Sequence, residues 1–496
     1  EKDYLYINNK NGTFTEQIEG WASHISQSSM GADMADVNND GKSDIFTTDM
    51  LPENDERLKK TTNFDNYDLF TRKLNLDFFN QYMQNTLQLN DENNKFLEIA
   101  NFAGVAKTDW SWGALLFDMD NDGYKDIYVC NGIYHDLTNQ DFMDFFANDF
   151  LQKMVITGKK EDMETIIAKM PSTPIPNYAF KNNKNLTFTN EAENWGLGTP
   201  SFSNGAAYGD LDNDGDLDVV TNNLNTVASI YINKTNDKAN YLKIRLRFGG
   251  KNTFGIGTKV ISYNKGKMQY KELQTTRGFQ SSSEPIIHFG YGKASSIDSL
   301  VVIWPDKTSQ TLKKVKTNQT LTIKPNANRK AFDYRKLHPA VLPVFKKVEN
   351  NLGIDFIHQE NDYTDFLAQK LIPYQHSDRG PATAIGDLNG DGKEDLFFGG
   401  AKGKKAAIYI QNAAGFTKKP SAVIENDSIY EDASAVIGDF NNDKINDLFV
   451  ASGGGENPAN LDSRLYLNKN NQLSKAAFPI LTQNAAVVKA FDYDND

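Results

Sequence analysis

The sequence predicts an all-β protein built of repeated four-stranded blades, and two recurring patterns support this prediction. The first is an acidic loop of nine residues, which occurs five times in full and once in part. The second is an alternating apolar phrase that ends in Asn, such as Tyr4-Leu5-Tyr6-Ile7-Asn8. Loops that begin at Asp387, Asp439 and Asp492 are 52 and 53 residues apart. One blade of a β-propeller takes about 40 to 50 residues, so each blade would carry one loop.

The acidic loops have the composition of calcium-binding loops. Oxygen-bearing side chains recur at loop positions 1, 3, 5 and 9, position 7 can offer its backbone carbonyl, and Gly at position 6 allows a sharp bend. A hard cation that prefers six to eight oxygen ligands fits this pattern, so we expect about five structural Ca²⁺ ions and an incomplete sixth loop. The predicted ligands are Asp36, Asn38, Asp40, Lys42 and Asp44 in loop 1; Asp118, Asp120, Asp122, Tyr124 and Asp126 in loop 2; Asp210, Asp212, Asp214, Asp216 and Asp218 in loop 3; Asp387, Asn389, Asp391, Lys393 and Asp395 in loop 4; Asp439, Asn441, Asp443, Ile445 and Asp447 in loop 5; and Asp492, Asp494 and Asp496 in loop 6.

Two other interpretations of the loops fit the sequence less well. Asp, Asn and Gly also favour turns that bind no ion. However, the clustered carboxylates of each of the five loops would repel one another if no cation were bound. An EF-hand needs a Glu at position 12, where the complete loops have Thr47, Val129, Thr221, Phe398 and Val450. Loop 5 has Lys444 at the Gly position, which forces a left-handed backbone at a cost of roughly 1 kcal/mol. We therefore expect loop 5 to bind metal most weakly.

The residues around the loops predict strands. Each loop is followed by a β-branched and aromatic run such as Ile127-Tyr128-Val129, and loop 2 is preceded by Gly113-Ala114-Leu115-Leu116-Phe117. The apolar phrases predict a further strand that enters a hairpin. Those phrases are Tyr4 to Asn9, Tyr178 to Asn183, Ser229 to Asn233, Ala407 to Asn412 and Arg464 to Asn468.

Two insertions, at about 50–85 and 136–176, lengthen the spacing between loops 1, 2 and 3, and we expect them to be helical. In the second insertion Phe142, Phe145, Phe146, Phe150 and Met154 recur at helical spacing. In the first, the apolar residues are Phe70, Leu74, Phe78, Phe79 and Tyr82. These stripes either pack on their own blades or form a docking face for a partner protein.

The loops and the apolar phrases resemble the FG-GAP or VCBS repeats of integrin-type β-propellers. The segment from about Tyr241 to Ile323 resembles an ASPIC/UnbV domain. The motifs that carry this resemblance are Gly255-Ile256-Gly257, Arg277-Gly278-Phe279, His288-Phe289-Gly290-Tyr291-Gly292 and Trp304-Pro305-Asp306. Together the segments are similar to the cartilage acidic protein-like family, in a large bacterial form with a propeller on each side of the ASPIC/UnbV domain. The resemblance implies calcium at the loop aspartates and a β-rich accessory domain.

Composition limits the function classes. The net charge of −12 argues against a nucleic-acid partner, whose phosphates require a basic surface. Cys130 is the only cysteine, so no internal disulfide forms, and cysteine-rich thrombospondin-type calcium repeats are excluded. We expect Cys130 to be a small buried apolar residue. No apolar run of about 18 residues is present, so we expect no transmembrane helix in this sequence.

The predicted organisation has four parts. Residues 1–240 are the last blades of a first propeller, 241–326 the ASPIC/UnbV domain, 327–344 a linker, and 345–496 the first blades of a second, truncated propeller. Because Asp496 ends inside loop 6, we expect the sequence to be part of a longer protein. We expect the protein to be extracellular or at the cell surface, because calcium is millimolar there and fills loops of low affinity. Any anchor to the outer membrane would lie in a part of the protein that this sequence does not contain.

The predicted function is a calcium-binding surface scaffold for protein–protein interaction, without catalytic activity, within an envelope-associated assembly such as an outer-membrane complex. A glycan is the alternative ligand, and a glycan-active propeller enzyme is the alternative function. The six histidines, at 24, 135, 288, 338, 358 and 376, form no H-E-x-x-H pair, and the sequence contains no G-x-S-x-G or G-x-x-x-x-G-K motif. We expect His288 to be structural, and we predict no catalytic residue.

Overall fold

The computed structural model describes residues 2–91, 95–158, 164, 167–235, 239–337, 344–372, 374–375, 377–378, 380–454, 460–477, 479 and 483–493. The chain forms two compact units, Glu1–Ala340 and Val341–Asp496. Strands dominate both units and pair mostly with their sequence neighbours. Within the described ranges, no helix combines the length and the apolar character that crossing a membrane requires.

The first unit contains three successive β-propeller blades, each an antiparallel sheet whose strands are ordered as in the sequence. A hairpin of Tyr6–Asn8 and Phe14–Glu16 precedes them. The strands are Ala32–Ala35, Asp44–Thr47, Thr86–Asn90 and Phe96–Glu98 in blade 1; Ser111–Phe117, Asp126–Asn131, Tyr178–Asn182 and Phe188–Asn190 in blade 2; and Ser203–Gly209, Asp218–Asn223 and Ser229–Tyr231 in blade 3.

The alternation of side chains along the strands explains how the blades pack face to face. Successive residues of a strand point to opposite faces of its sheet. In blade 2, Ile127 and Val129 face a core shared with Phe46 and Leu87 of blade 1. Tyr128 and Cys130 of the same strand face the other way, into a core with Leu217 and Val219 of blade 3. Cys130 is fully buried, which confirms its predicted structural role.

Each insertion leaves its blade between the second and third strands. The insertion of blade 1 contains the helices Asp55–Thr61 and Tyr67–Leu74, and that of blade 2 contains a π-helix at Phe142–Ala147 followed by an α-helix at Asn148–Thr157. The predicted stripe of the first insertion is only partly helical. Residues Gln81–Tyr82 form a short strand that pairs in parallel with Ile25–Ser26. The side chains of Phe145, Phe146 and Phe150 lie outside the described residues.

Two packed sheets form a central β domain between residues 240 and 331. Its three-stranded sheet is built of Ile286–Gly292, Asn240–Leu246 and Gln319–Ile323, in that order. Its five-stranded sheet has the order Lys267–Glu272, Lys259–Asn264, Ser296–Ile303, Thr308–Lys316 and Lys330–Ala331. Leu242, Phe289, Val302 and Trp304 are among the residues buried in the core of this domain.

A short hairpin of the central β domain, strands Thr276–Arg277 and Ser281–Ser282, contacts the first strands of the blades. Arg277 Nη1 donates to Asp33 Oδ1 of blade 1 at 2.8 Å. A Cβ at Gly278 would lie a tight 3.0 Å from the Ala114 carbonyl oxygen of blade 2, and the backbone there is left-handed with φ of 58°, so both features favour glycine. The central domain is therefore fastened to the first two blades of its unit through this hairpin.

The second unit repeats the same blade plan. Blade 4 consists of Thr383–Gly386, Asp395–Phe398, Ala407–Asn412 and Gly415–Lys419, and blade 5 of Asp432–Gly438, Asp447–Ser452, Arg464–Lys469 and Gln472–Lys475. Phe397, Ile408, Leu448 and Val450 are buried together between the two blades. Among the described residues, the remaining short helices are Ile18–Trp21, Ala100–Ala103, Asp365–Ala368 and Ala422–Glu425, with 3₁₀ turns at Tyr334–Lys336 and Asn351–Gly353.

Candidate metal centres at the blade loops

Each complete acidic loop joins the first strand of a blade to its second strand, so loops 1 to 5 belong to blades 1 to 5. The predicted ligands therefore occupy equivalent places in five sheets. In loop 6, Asp492 lies within the described residues, whereas Asp494 and Asp496 lie outside them.

The carboxylate at position 1 organises the backbone of the loop. In loop 2, Asp118 Oδ1 accepts the N–H of Asp122 at 3.0 Å, and Asp118 Oδ2 accepts the N–H of Gly123 at 2.9 Å. The same two bonds, from positions 5 and 6, reach the position 1 carboxylates of loops 1, 4 and 5, which are Asp36, Asp387 and Asp439. The loop is thereby curled around its first carboxylate.

The carboxylate at position 9 ties the loop to the rest of its blade. In loop 2, Asp126 Oδ2 accepts the N–H of Met119 at 2.8 Å, and its Oδ1 accepts the N–H of Asn182, in the third strand, at 2.9 Å. The equivalent residues that make both bonds are Asp44, Asp218, Asp395 and Asp447. Each oxygen keeps a further lone pair with which it could contact a cation.

Positions 5 and 7 are joined by a third recurring bond. The N–H of Tyr124 donates to Asp122 Oδ1 at 3.0 Å, and the N–H of Lys42 donates to Asp40 Oδ1 at 2.8 Å. The other pairs are Asp216 with Asp214, Lys393 with Asp391 and Ile445 with Asp443. The predicted position 7 residues thus have their backbone fixed beside the position 5 carboxylate in all five loops.

Two positions of each loop, 4 and 6, have a left-handed backbone, and the sequence predicted only position 6. Position 6 has φ between 81° and 104° at its four glycines, and Lys444 adopts φ of 70° there. Position 4 is also left-handed, and it holds residues that tolerate this conformation. These residues are Asn39, Asn121, Asn213, Gly390 and Asn442. The recurrence of Asn or Gly at position 4 was the signal in the sequence that could have revealed this turn.

The oxygen atoms converge in loops 2 and 3. One carboxylate oxygen from each of Asp118, Asp120 and Asp122 lies within 4.8 Å of the others, and the same is true of Asp210, Asp212 and Asp218. Such clusters of carboxylates could hold a metal ion. Because all the donors are oxygen, the residues present fit a hard cation such as Ca²⁺.

Burial makes these carboxylates costly without a counter-charge. Burial raises the pKa of Asp36 to about 6 and that of Asp44 to about 7. The ammonium of Lys125, which is fully buried, opposes the rise at Asp36 and at Asp118. In loop 2, Lys184 Nζ lies 2.8 Å from Asp122 Oδ2. Basic side chains thus compensate part of the negative charge of loops 1 and 2, and a divalent cation would compensate more of it.

Loop 3 differs from the other four loops. Asp210 Oδ2 accepts a hydrogen bond from Lys243 Nζ, in the central β domain, at 2.6 Å, and the two side chains are 1% and 5% exposed. The bond from the position 5 N–H to the position 3 side chain is kept, with the N–H of Asp214 donating to Asp212 Oδ1 at 3.3 Å as the N–H of Asp122 does to Asp120 Oδ1 in loop 2. Asp210 Oδ1 is buried without a hydrogen-bond partner among the described residues. In this loop an ammonium group therefore engages the first predicted calcium ligand.

The first Asn of the apolar phrase links neighbouring blades, a role that the sequence did not reveal. Asn182 Nδ2 donates to the Val37 carbonyl of loop 1 at 2.9 Å and to the Lys125 carbonyl of its own blade at 3.0 Å. Asn233 and Asn468 make the same pair of bonds at the next blade pair and in the second unit. Each of these side chains holds two loops in register.

The glycine-rich motif of the central β domain contacts loops 2 and 3. A Cβ at Gly290 would lie 2.2 Å from Asp118 Oδ2, so only glycine fits there. The N–H of Gly292 donates to the Asn121 carbonyl at 2.8 Å. His288 Nε2 lies 2.9 Å from the Gly215 carbonyl, and burial lowers the pKa of His288 to about 3. A neutral His288 that donates this bond has the structural role that we expected for it.

Comparison with known proteins gives the same two components. The family model described as FG-GAP-like repeat matches residues 1–47, 162–221 and 387–450, and the model described as ASPIC and UnbV matches residues 249–330. Neither component belongs to a typical enzyme family.

Two curated relatives are similar to part of the chain. Cartilage acidic protein 1 of Xenopus tropicalis is 34% identical over 108 residues, and that of Homo sapiens is 33% identical over 110 residues. Each match covers 21% of this chain and 16% of the relative. The central β domain described above contains the ASPIC and UnbV match, and blades 1 to 5 contain or adjoin the repeat matches. The chain therefore combines FG-GAP-like repeats, folded as β-propeller blades, with an ASPIC and UnbV domain, and part of it is similar to cartilage acidic protein 1.

Proposed function

We propose that this protein is a calcium-stiffened extracellular or cell-surface scaffold that binds another protein. The observation that carries the proposal is the recurrence of one hydrogen-bond pattern, at positions 1 and 9, around oxygen-rich loops in successive blades. Residues at the loop positions predicted from the sequence would hold the ions. A bound ion would neutralise the clustered carboxylates and fix the turn between the first and second strands.

Charge and location support the calcium role. Five divalent ions would add ten positive charges to a chain whose net charge is −12, leaving about −2 and relieving self-repulsion. Loops of modest affinity fill where calcium is millimolar, which is outside cells. The similarity to cartilage acidic protein 1 and the repeat matches are consistent with that location.

The insertions offer a surface for the partner protein. In the insertion of blade 2, Val155 is 83% exposed and Ile156 is 81% exposed, and Phe78 in the insertion of blade 1 is 46% exposed. Exposed apolar side chains grouped on inserted segments are typical of protein-interaction sites. An outer-membrane complex is the partner class that we propose, with a glycan as the alternative ligand.

Calcium removal tests the structural role. We expect thermal unfolding of the full chain to shift upward when millimolar Ca²⁺ is added after chelation, because a ligand at about 100 times its Kd stabilises the folded state by about 2.7 kcal/mol per site. Asp122→Asn in loop 2 should reduce the number of ions bound by one, measured by equilibrium dialysis, whereas Asp77→Asn, at an exposed position outside the loops, should not. Equal unfolding temperatures with and without calcium would refute the role.

A binding assay and a turnover assay together separate a scaffold from an enzyme. We expect purified protein to recover a stoichiometric partner from detergent-solubilised envelope and to release no product from a panel of polysaccharides. The double variant Val155→Glu and Ile156→Glu should lose the partner while keeping its calcium-dependent unfolding temperature. Release of sugar products would instead establish the glycan-active enzyme.

A further inference from the structure

Three metal-ligating side chains meet in the second unit at a place remote from the acidic loops. The loops join the end of each first strand to the start of the second, so the start of the first strand lies at the opposite end of the blade. Glu431 immediately precedes the first strand of blade 5, Asp432–Gly438. His358 lies 3.3 Å, through Nδ1, from the carbonyl of Gly399, which follows the second strand of blade 4. The cluster is therefore at the end of the blades that carries no acidic loop.

The third member of the cluster is Glu360. Its Oε2 lies 3.1 Å from His358 Nε2, and one ligand atom from each of His358, Glu360 and Glu431 lies within 4.8 Å of the other two. Two ligands about 2.1 Å from a tetrahedral ion are about 3.4 Å apart, so only a small movement is needed for all three to reach one ion. A Cβ at Gly380 would lie 3.6 Å from both Glu431 Oε1 and His358 Nε2, so Gly380 borders the cluster beside these two atoms.

Backbone groups hold each of the three side chains in a ligating orientation. Glu431 Oε2 accepts the N–H of Lys402 at 2.7 Å, and Glu360 Oε1 accepts the N–H of Asn361 at 2.9 Å. When His358 Nδ1 donates to the Gly399 carbonyl, Nε2 carries a lone pair that faces the carboxylates. In metal sites, hydrogen bonds of this kind orient the ligand side chains toward the ion.

One buried oxygen of the cluster lacks a partner. Glu431 is 3% exposed, and its Oε1 has no hydrogen-bond partner among the residues that the structure describes. A buried carboxylate oxygen left in this way costs free energy unless a cation or proton meets it. This atom is the independent indication that a ligand belongs at the cluster.

The first unit shows what the chain does with acidic groups at the same end of a blade. Asp109 precedes the first strand of blade 2, Asp136 follows its second strand, and the Arg57 guanidinium binds both carboxylates. Asp136 is 3.0 Å from Arg57 Nη1. In the first unit the Arg57 guanidinium therefore supplies the positive charge beside the two carboxylates. Beside Glu360 and Glu431, the described residues place the His358 imidazole instead.

We propose that His358, Glu360 and Glu431 bind a divalent transition-metal ion, with Zn²⁺ as the expected occupant. One imidazole nitrogen with two carboxylate oxygens suits zinc, whereas the oxygen-only loops suit calcium. Glu360 has a side chain that is 36% exposed, so the cluster opens to solvent on that side. Three protein ligands with one open position leave room for water or for an anionic group of a bound partner.

The test is zinc binding to the full chain in saturating calcium, so that the loops are already filled. Calorimetric titration with ZnCl₂ should show one ion per chain, and Co²⁺ should give the visible absorption of a low-coordinate site. His358→Gln and Glu431→Gln should each weaken zinc binding by at least about tenfold, because each removes one of three ligands. Glu360→Gln alters the more exposed ligand and provides a variant whose folding is least at risk.

The matched control is His24→Gln in the first unit. His24 Nε2 pairs with Glu98 Oε2 at 3.2 Å, so it is a His–Glu pair that belongs to no three-residue cluster among the described residues. This variant should bind zinc as the wild type does, and all the variants should keep their calcium-dependent unfolding temperature. If the three cluster variants bind zinc as tightly as His24→Gln does, or if the wild type binds none, the proposal is wrong.

Discussion

At the scale of single residues, the five loops serve as internal comparisons for one another. They share carboxylates at positions 1 and 9, and those carboxylates accept backbone N–H groups in nearly the same way. Two residues break the uniformity. Lys243 engages Asp210 of loop 3, and Lys444 replaces the glycine of loop 5. The loops should therefore differ in calcium affinity, although their sequences are alike.

Lys243→Gln should make the first unit depend more strongly on calcium. Removing the ammonium leaves the buried Asp210 carboxylate without its partner, so we expect a loss of about 3 kcal/mol in calcium-free solution. Calcium should recover most of that loss, because the freed carboxylate can bind the ion. Urea unfolding followed by tryptophan fluorescence measures this, since all five Trp residues lie in Glu1–Ala340.

The control for this measurement is Lys259→Gln, which removes a lysine of the same domain that is paired at 3.5 Å and is 33% exposed. It should change stability by less than about 1 kcal/mol with or without calcium. Failure of calcium to rescue Lys243→Gln would mean that loop 3 is closed by lysine and is not a calcium site.

Lys444→Gly should strengthen loop 5. The φ of 70° costs a residue with a side chain roughly 1 kcal/mol, and glycine adopts it freely. We expect about a fivefold tighter calcium affinity in loop 5, by calorimetric titration, from a gain of about 1 kcal/mol. Lys444→Ala removes the charge but keeps the Cβ. An equal gain in that variant would assign the weakness to charge instead of backbone strain.

At the scale of elements, each blade consists of a strand, an acidic loop, a second strand and a hairpin. The side-chain amide of an Asn links neighbouring blades by hydrogen bonds. Asn182 donates to loops of two blades, and the alternating faces of Asp126–Asn131 pack on blades 1 and 3. The loops are therefore fixed from behind by the next blade as well as by their own strands. Insertions leave between the second and third strands, where they disturb neither the loop nor this amide.

Asn182→Ala should lower the stability of the first unit by about 2 kcal/mol. The change leaves two buried carbonyl oxygens, of Val37 and Lys125, without this donor. Its neighbour provides the control, because Asn183 bonds to exposed threonines in a hairpin, and Asn183→Ala should cost less than about 1 kcal/mol. Equal effects in tryptophan-monitored urea unfolding would contradict the inter-blade role.

At the scale of the whole molecule, the first unit shows how the ASPIC/UnbV domain joins the blades. The domain presents Gly290 to loop 2, Lys243 to loop 3 and the Arg277 hairpin to the first strands. Calcium binding at the loops should therefore affect how firmly this domain is held. Close approach to blade 2 explains two of the motif glycines, Gly278 and Gly290.

Arg277→Met should loosen the domain from the blades. Asp33 is 4% exposed, and burial raises the pKa of its carboxyl, so loss of the guanidinium leaves a buried charge unpaired at a cost of about 3 kcal/mol. We expect earlier urea unfolding and faster proteolysis between blade 3 and the domain. Arg329→Met, which breaks a partly exposed pair at 3.8 Å, should have little effect. Similar losses in both variants would exclude a special role for Arg277.

The sequence by itself determined the blade-like all-β fold and the candidate calcium ligands. Both depend on local patterns: the period of two in strands such as Asp126–Asn131, and the spacing of Asp118, Asp120 and Asp122 within one short loop. Neighbours along the chain fix these features, so they can be read without knowing the fold.

Only the tertiary structure decided which distant residues meet. Lys243 at Asp210, Arg277 at Asp33, and Glu431 beside His358 bring together groups separated by many residues. No spacing rule predicts such pairs, because they arise from the packing of one sheet or hairpin on another. The amide of Asn182 shows the difference within one residue: its place before a hairpin was evident from the sequence, whereas its bonds to two blades required the blades to be assembled.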